Sequence, residues 1–245
     1  MKKLIFGIEV LNIMDVSKVI TQIGSLPFDN VEDAVNYSLR HDIPFLPELP
    51  KIKGDSMIEY VHNPGNLACS VLFKRNNYDV VKIQAVGPIT LMQQGYNEDD
   101  AMSISYKHIE GLLKGLNAKE VILFLDEPAV GYTGIDFNPL WDALFSSFNV
   151  TPGVHICGNM DWDRMFQSKL EIISFDATAY DLTKYPSYRS GKRIAWGVKS
   201  LDDIKDFQDG DLITLPCGMS PATYSVSDTD PVLLKLNAIK SYFLK

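Results

Sequence analysis

One imidazole and two thiols make a metal-ligand set, and zinc is the metal that such a set suits best. His155 and Cys157 stand two apart in Val154-His155-Ile156-Cys157-Gly158-Asn159, and a second cysteine follows in Leu215-Pro216-Cys217-Gly218-Met219. Residues two apart point to one face of a strand, so His155 and Cys157 can serve a single ion. Asp176 is a candidate fourth ligand. A catalytic zinc usually takes three protein ligands and keeps one position for water or substrate, and a carboxylate can yield that position to an arriving thiol more readily than a thiolate can. Each residue also has a plainer reading. A free cysteine is often a small buried hydrophobe, a lone histidine is often a satisfied core residue, and Asp176 could cap a turn. Cys69 has no partner nearby in sequence and reads as structural.

Three further polar residues could hold a substrate. Asp126, in Asp126-Glu127-Pro128, follows an apolar run, where a carboxylate at a pocket mouth could grip an amine or merely cap the next element. Ser25, in Ile23-Gly24-Ser25-Leu26-Pro27, offers a hydroxyl beside a close backbone approach, or only a turn. Glu48, between Pro47 and Leu49, is the third. Gly87-Pro88-Ile89-Thr90 reads as a turn and a cap that shape the rim. Neither a P-loop, nor G-x-G-x-x-G, nor a G-x-S-x-G elbow occurs, so no nucleotide cofactor or serine hydrolase is indicated.

The elements that must position these groups alternate. Short β-rich runs fall at 19–24, 43–46, 80–86, 121–125, 153–157, 172–175, 193–197 and 211–215. Helical patterns fall at 30–40, 98–116 and 230–244, with Asn30 as a cap. Eight β–α pairs predict an α/β fold, a single-domain TIM (β/α)8 barrel over residues 19–245, with a doubly wound open sheet as runner-up. Residues 1–18 read as an N-terminal extension, with the chain starting at Met1 or Met14. In such a barrel the catalytic groups sit where strands end. Ser25, Glu48, Asp126, His155, Cys157, Asp176 and Cys217 all fall there.

The bulk properties exclude several classes. The chain has 245 residues, 46% of them hydrophobic and 22% charged, which supplies a sizeable core. A net charge of -8 argues against nucleic acid and anionic membrane as partners. Three cysteines make a poor disulfide framework and suit a reducing cytosol. Glu9 and Asn12 break the N-terminal apolar run before a signal peptide is complete, and no run approaches the roughly 18 apolar residues of a membrane span. A cytoplasmic enzyme is the expectation.

Taken in order, Ile23-Gly24-Ser25-Leu26-Pro27, Asp126-Glu127-Pro128-Ala129, His155-Ile156-Cys157 and Cys217-Gly218 resemble the catalytic domain of cobalamin-independent methionine synthase. His155-Ile156-Cys157-Gly158-Asn159 with Cys217-Gly218-Met219-Ser220-Pro221 is also similar to the methylcobamide:coenzyme M methyltransferases of the uroporphyrinogen-decarboxylase-like group. The resemblance spans residues 19–221. It implies a TIM barrel whose zinc binds a substrate thiol and makes it a nucleophile towards a methyl group. It implies His155, Cys157 and Cys217 as zinc ligands. Ser25, Asp126 and Glu48 would hold the homocysteine backbone, which coenzyme M, having no amine, would not use.

Three departures matter. The matching fourth ligand in methionine synthase is a glutamate, and here it is Asp176, one methylene shorter. The long enzyme's N-terminal half has no counterpart. The folate-dependent enzymes carry a histidine after strand seven to protonate the leaving folate nitrogen, where this chain has Gly197-Val198-Lys199-Ser200-Leu201. A cobalt(I) corrinoid leaves without a proton. The expected donor is therefore a methylcorrinoid on a carrier protein, and the expected product is methionine. A coenzyme M-like thiol acceptor, a methylfolate-dependent synthase and a non-catalytic zinc or thiol-binding barrel are the alternatives.

Overall fold

The computed structural model describes residues 18–244; residues 1–17 of the expected extension, with both candidate start positions, lie outside the described residues. Six parallel strands pair in sequence order: β1 (Asn77–Val86), β2 (Asn117–Asp126), β3 (Thr151–Ile156), β4 (Ile172–Asp176), β5 (Arg193–Gly197) and β6 (Leu212–Thr214). Seven α-helices accompany them among the described residues: α1 (Val31–Ser38), α2 (Ser70–Phe73), α3 (Pro88–Gln93), α4 (Glu98–Leu113), α5 (Phe137–Phe145), α6 (Trp162–Phe166) and α7 (Thr229–Phe243). No helix among the described residues is long and apolar enough to cross a membrane.

Local chemistry explains the helix starts. Asn30 accepts from the amides of Glu32 at 2.8 Å and Asp33 at 3.1 Å, which caps α1. Asn97 does the same for α4 through Asp100 N at 2.8 Å, and Glu98, Asp99 and Asp100 favour the positive end of that helix. Both faces of the sheet are buried and largely apolar, as parallel strands are when both faces are covered. Val80, Ile122, Phe124, Ile172, Ala195 and Leu212 form one buried cluster, with Ile23 and Ile43 packed on it. Val81, Leu123, Leu125, Val154, Ile173 and Ile213 belong to the larger cluster shared with the helices.

The fold is α/β, but it is a curled half-barrel and not the closed (β/α)8 barrel that the eight β-rich runs predict. The runs at 80–86 through 211–215 correspond to β1–β6. Those at 19–24 and 43–46 do not form strands; they meet their neighbours at isolated bridges, Ile20 with Ile213 and Phe45 with Lys82, and meet each other where Ile43 N donates to Ile20 O at 3.0 Å, with a further bridge just beyond them between Ser25 and Glu48. The backbone donors explain the difference. Pro44 and Pro47 have no N–H to give a ladder. Val19 N and Ile20 N donate to the Asp42 carboxylate at 3.1 and 2.9 Å, and Gly24 N donates to Gln84 Oε1 at 2.7 Å. Side chains thus occupy donors that a neighbouring strand would need. The helices also thin out. Between β4 and β5, and between β5 and β6, the chain makes short 3-10 turns at Leu182–Lys184 and Leu201–Asp203.

Candidate metal and thiol site

The sheet register aligns the site. Asp126 at the end of β2 pairs with His155 on β3, and His155 pairs with Ser174 on β4. Cys157 follows β3 by one residue, and Cys217 lies in the loop after β6. The candidate ligand atoms of His155, Cys157 and Cys217 all lie within 4.8 Å of one another. Zinc–sulfur bonds of about 2.3 Å and zinc–nitrogen bonds of about 2.0–2.1 Å put tetrahedral ligands roughly 3.4–3.8 Å apart, so small side-chain rotations suffice. Ser174 Oγ lies 3.0 Å from His155 Nδ1, while the buried Nε2 has no hydrogen-bond partner. An orphaned imidazole nitrogen beside two sulfurs fits a soft divalent cation. The neighbouring Cys157 thiol, and after it the His155 ring, hold Cys217 well below the ordinary thiol range, while Cys217 and burial raise Cys157.

A cavity of about 230 Å³ opens at this end of the sheet, and Ser25, Glu48, Asp126, His155, Cys157 and Cys217 all line it. The structure therefore brings together six of the seven residues singled out in the sequence. Glu48 is buried and pushed well above the usual carboxylate range, first by burial and then by the charge of Asp126. Burial raises Asp126 to about 6. Glu48 Oε1 and Asp126 Oδ1 are both buried without a partner. Bare acceptors are costly in a protein interior, and a ligand donor would satisfy them. Ser25 is tied to the Cys217 loop. Met219 N donates to Ser25 O at 2.7 Å, and a Cβ on Gly218 would come within 2.8 Å of Ser25 Cβ.

Asp176 stands outside this set. It is neither one of the three clustered ligands nor a residue lining the cavity. Its Oδ1 accepts from Thr178 N at 2.9 Å and Thr178 Oγ1 at 2.6 Å, which is the turn-capping arrangement. Nor does any carboxylate complete a fourth position in the cluster among the described residues.

Glu127, next to Asp126, stiffens the rim. It accepts from Ile89 N at 3.1 Å, Thr90 N at 2.8 Å, Thr90 Oγ1 at 2.7 Å and Trp141 Nε1 at 3.0 Å. This ties the Gly87-Pro88-Ile89-Thr90 turn to the end of β2. Burial nonetheless raises its carboxyl to about 7.

Ser174, Gln84 and Lys82, which the sequence reading did not single out, contact the site residues directly or through one another. The signal was present as polar residues inside apolar runs. Lys82 and Gln84 alternate through Val80-Val81-Lys82-Ile83-Gln84-Ala85, and Ser174 interrupts Ile172-Ile173-Ser174-Phe175. A larger cavity of about 350 Å³ lies near α5 and the amino ends of β3 and β4. Ligands of parallel sheets bind at the carboxyl ends, where the His/Cys/Cys set stands.

The fold and site together define an α/β protein with a clustered histidine and two cysteines over a carboxylate-lined cavity. The chain matches none of the protein-family models, curated proteins or solved structures compared with it.

Proposed function

We propose that the protein is a zinc-dependent thiol S-methyltransferase. Its acceptor is homocysteine, its product is methionine, and its methyl donor is a methylcorrinoid delivered by a carrier protein. One observation carries this reading. The soft ligand set and two carboxylates with unpartnered oxygens line the same small cavity.

His155, Cys157 and Cys217 would hold the zinc. When bound, the ion lowers the pKa of a thiol from about 8.5, so that the sulfur is available as a thiolate at neutral pH. The rest is positioning. Asp126 Oδ1 and Glu48 Oε1 are acceptors for an ammonium, and the Ser25 hydroxyl can donate to the acceptor's carboxylate. A cavity of about 230 Å³ suits a small amino acid, lying below the roughly 300–1,000 Å³ typical of drug-sized sites. The paired carboxylates favour an amino acid over a sulfonate thiol, which has nothing for them to hold.

The donor follows from what leaves. A methylcorrinoid would give its methyl group to the acceptor sulfur and keep the electron pair of the broken carbon–cobalt bond. No proton is needed. Methylfolate would leave as an amine and require one, and the Gly197-Val198-Lys199-Ser200-Leu201 loop after β5 holds no histidine to supply it. The test is methionine formation by the zinc-loaded protein. Homocysteine with methylcobalamin should yield methionine, and the Cys217→Ala variant should yield none. Equal turnover with methyltetrahydrofolate alone would overturn the donor assignment.

A further inference from the structure

Below the cavity, a buried lysine and a glutamine form a chain of hydrogen bonds that ends on Asp126. Lys82 is fully buried on β1 and is not among the residues lining the cavity. Its ammonium donates to Gln22 O at 3.0 Å and to Gln84 Oε1 at 2.7 Å, and lies 4.9 Å from the centre of the Phe124 ring. A buried charge without such partners would be expensive, and an apolar residue would fill the same space without the cost. Burial pulls Lys82 down to about 8, with Asp126 and Glu48 opposing.

Gln84 passes this charge on as geometry. Its Oε1 receives Lys82 Nζ and also Gly24 N, each at 2.7 Å. Two donors on one oxygen fix the amide, because the flipped amide would set its NH2 group against both. Nε2 must then donate, and it does so to Asp126 Oδ2 at 2.9 Å. That bond occupies one carboxylate oxygen and leaves Oδ1 as the bare acceptor. Gly24 has to be a glycine for this to work, since a Cβ there would come within 2.7 Å of the Gln84 amide carbon. The close backbone approach at Gly24 therefore serves the relay.

We propose that Lys82 and Gln84 are specificity-determining positioning residues, which hold Asp126 so that the site prefers a thiol bearing an ammonium over the same thiol without one. This rests on the acceptor reading above and deepens it. With Oδ2 of Asp126 taken by Gln84, Asp126 Oδ1 and Glu48 Oε1 are left as the unpartnered buried oxygens that a ligand ammonium would meet.

The test measures binding by calorimetry at pH 7, using zinc-loaded full-length protein with homocysteine and with 4-mercaptobutanoate, which differs only in lacking the amine. The wild type should bind homocysteine at least about tenfold more tightly, as expected for a charge-assisted hydrogen bond. In Gln84→Met and in Lys82→Met that preference should fall by about tenfold, while affinity for 4-mercaptobutanoate stays within about twofold. A role confined to stability would change both affinities together or neither. Because Lys82→Met could fail to fold, Gln84→Met carries the test alone if circular dichroism shows that loss. A preference that is unchanged in the folded variants overturns the relay and leaves the acceptor reading standing. Wild-type protein that binds neither thiol overturns the acceptor reading, and the relay with it.

Discussion

Ser174 Oγ lies 3.0 Å from Nδ1 of His155, on the neighbouring strand and in the same register row. A hydroxyl on one ring nitrogen fixes the ring and reserves the other for a metal. The contact joins the middle of β4 to the end of β3, so the ligand's orientation is set by sheet pairing and not by a loop. Removing it should loosen the histidine without unfolding the sheet. Ser174→Ala is expected to weaken zinc binding by about tenfold or more, measured by competition with a chromophoric chelator. Affinity equal to wild type would show that Ser174 has no part in the site.

The carboxylates make a separate prediction. Asp126→Asn and Glu48→Gln each keep shape and exchange a carboxyl for an amide. Each should weaken homocysteine binding by about ten- to a hundredfold, in line with about 1.5–3 kcal/mol for hydrogen bonds to charged groups. Zinc content should stay unchanged, since neither residue is in the ligand cluster. Loss of the metal in either variant would contradict the division of labour between cluster and carboxylates.

The loops that carry the site are packed backbone to backbone. A Cβ on Gly131, in the loop after β2, would collide with the carbonyl oxygen of Asn159, just beyond Cys157. No side chain can rotate away to make room. Gly131→Ala should cost about 1–3 kcal/mol of stability, as overpacking does, and should lower zinc affinity by displacing the Cys157 loop. Denaturant unfolding and chelator competition measure the two effects. Wild-type values for both would contradict the packing.

Acid should act through a buried histidine remote from the cluster. His108 on α4 stacks on Tyr60 with ring centres 3.7 Å apart and accepts from Gly65 N at 2.8 Å. Burial holds its pKa down to about 3. An unfolded histidine takes up its proton near pH 6.5. Between those values the unfolded chain binds a proton that the folded chain refuses, so the stability this group contributes is complete above pH 6.5 and drains away as pH falls. Between pH 7.5 and 5.0, wild type should therefore lose about 2 kcal/mol more than His108→Phe, from about 1.4 kcal/mol per pKa unit. Urea unfolding at the two pH values checks it, and parallel losses would refute it.

Much of the site was legible in the sequence because its residues stand at strand ends. The apolar runs at 121–125 and 193–197 marked β2 and β5, and His155, Cys157 and Asp126 follow from where such runs stop. Residues 19–24 misled because the composition of a run does not say where its amides donate. Asp42 and Gln84 take those amides from outside the run, and no local pattern reveals them. Asp176 is separated from the other candidates by a local contact. It sits at a strand end like the others, but Thr178, two residues on, engages its carboxylate. Lys82 and Gln84 were passed over because a polar residue within an apolar strand reads as a solvent-facing position, and here that face is the inside of the curl.

The most direct test is X-ray absorption at the zinc edge, on protein loaded with one equivalent of metal, with and without homocysteine. The account predicts two sulfur ligands and one imidazole nitrogen from the protein in the resting state, and a third sulfur once homocysteine is added. A Cys157→Ser variant should lose one protein sulfur. A protein that binds no zinc, or a sulfur count that does not change with homocysteine, would contradict it.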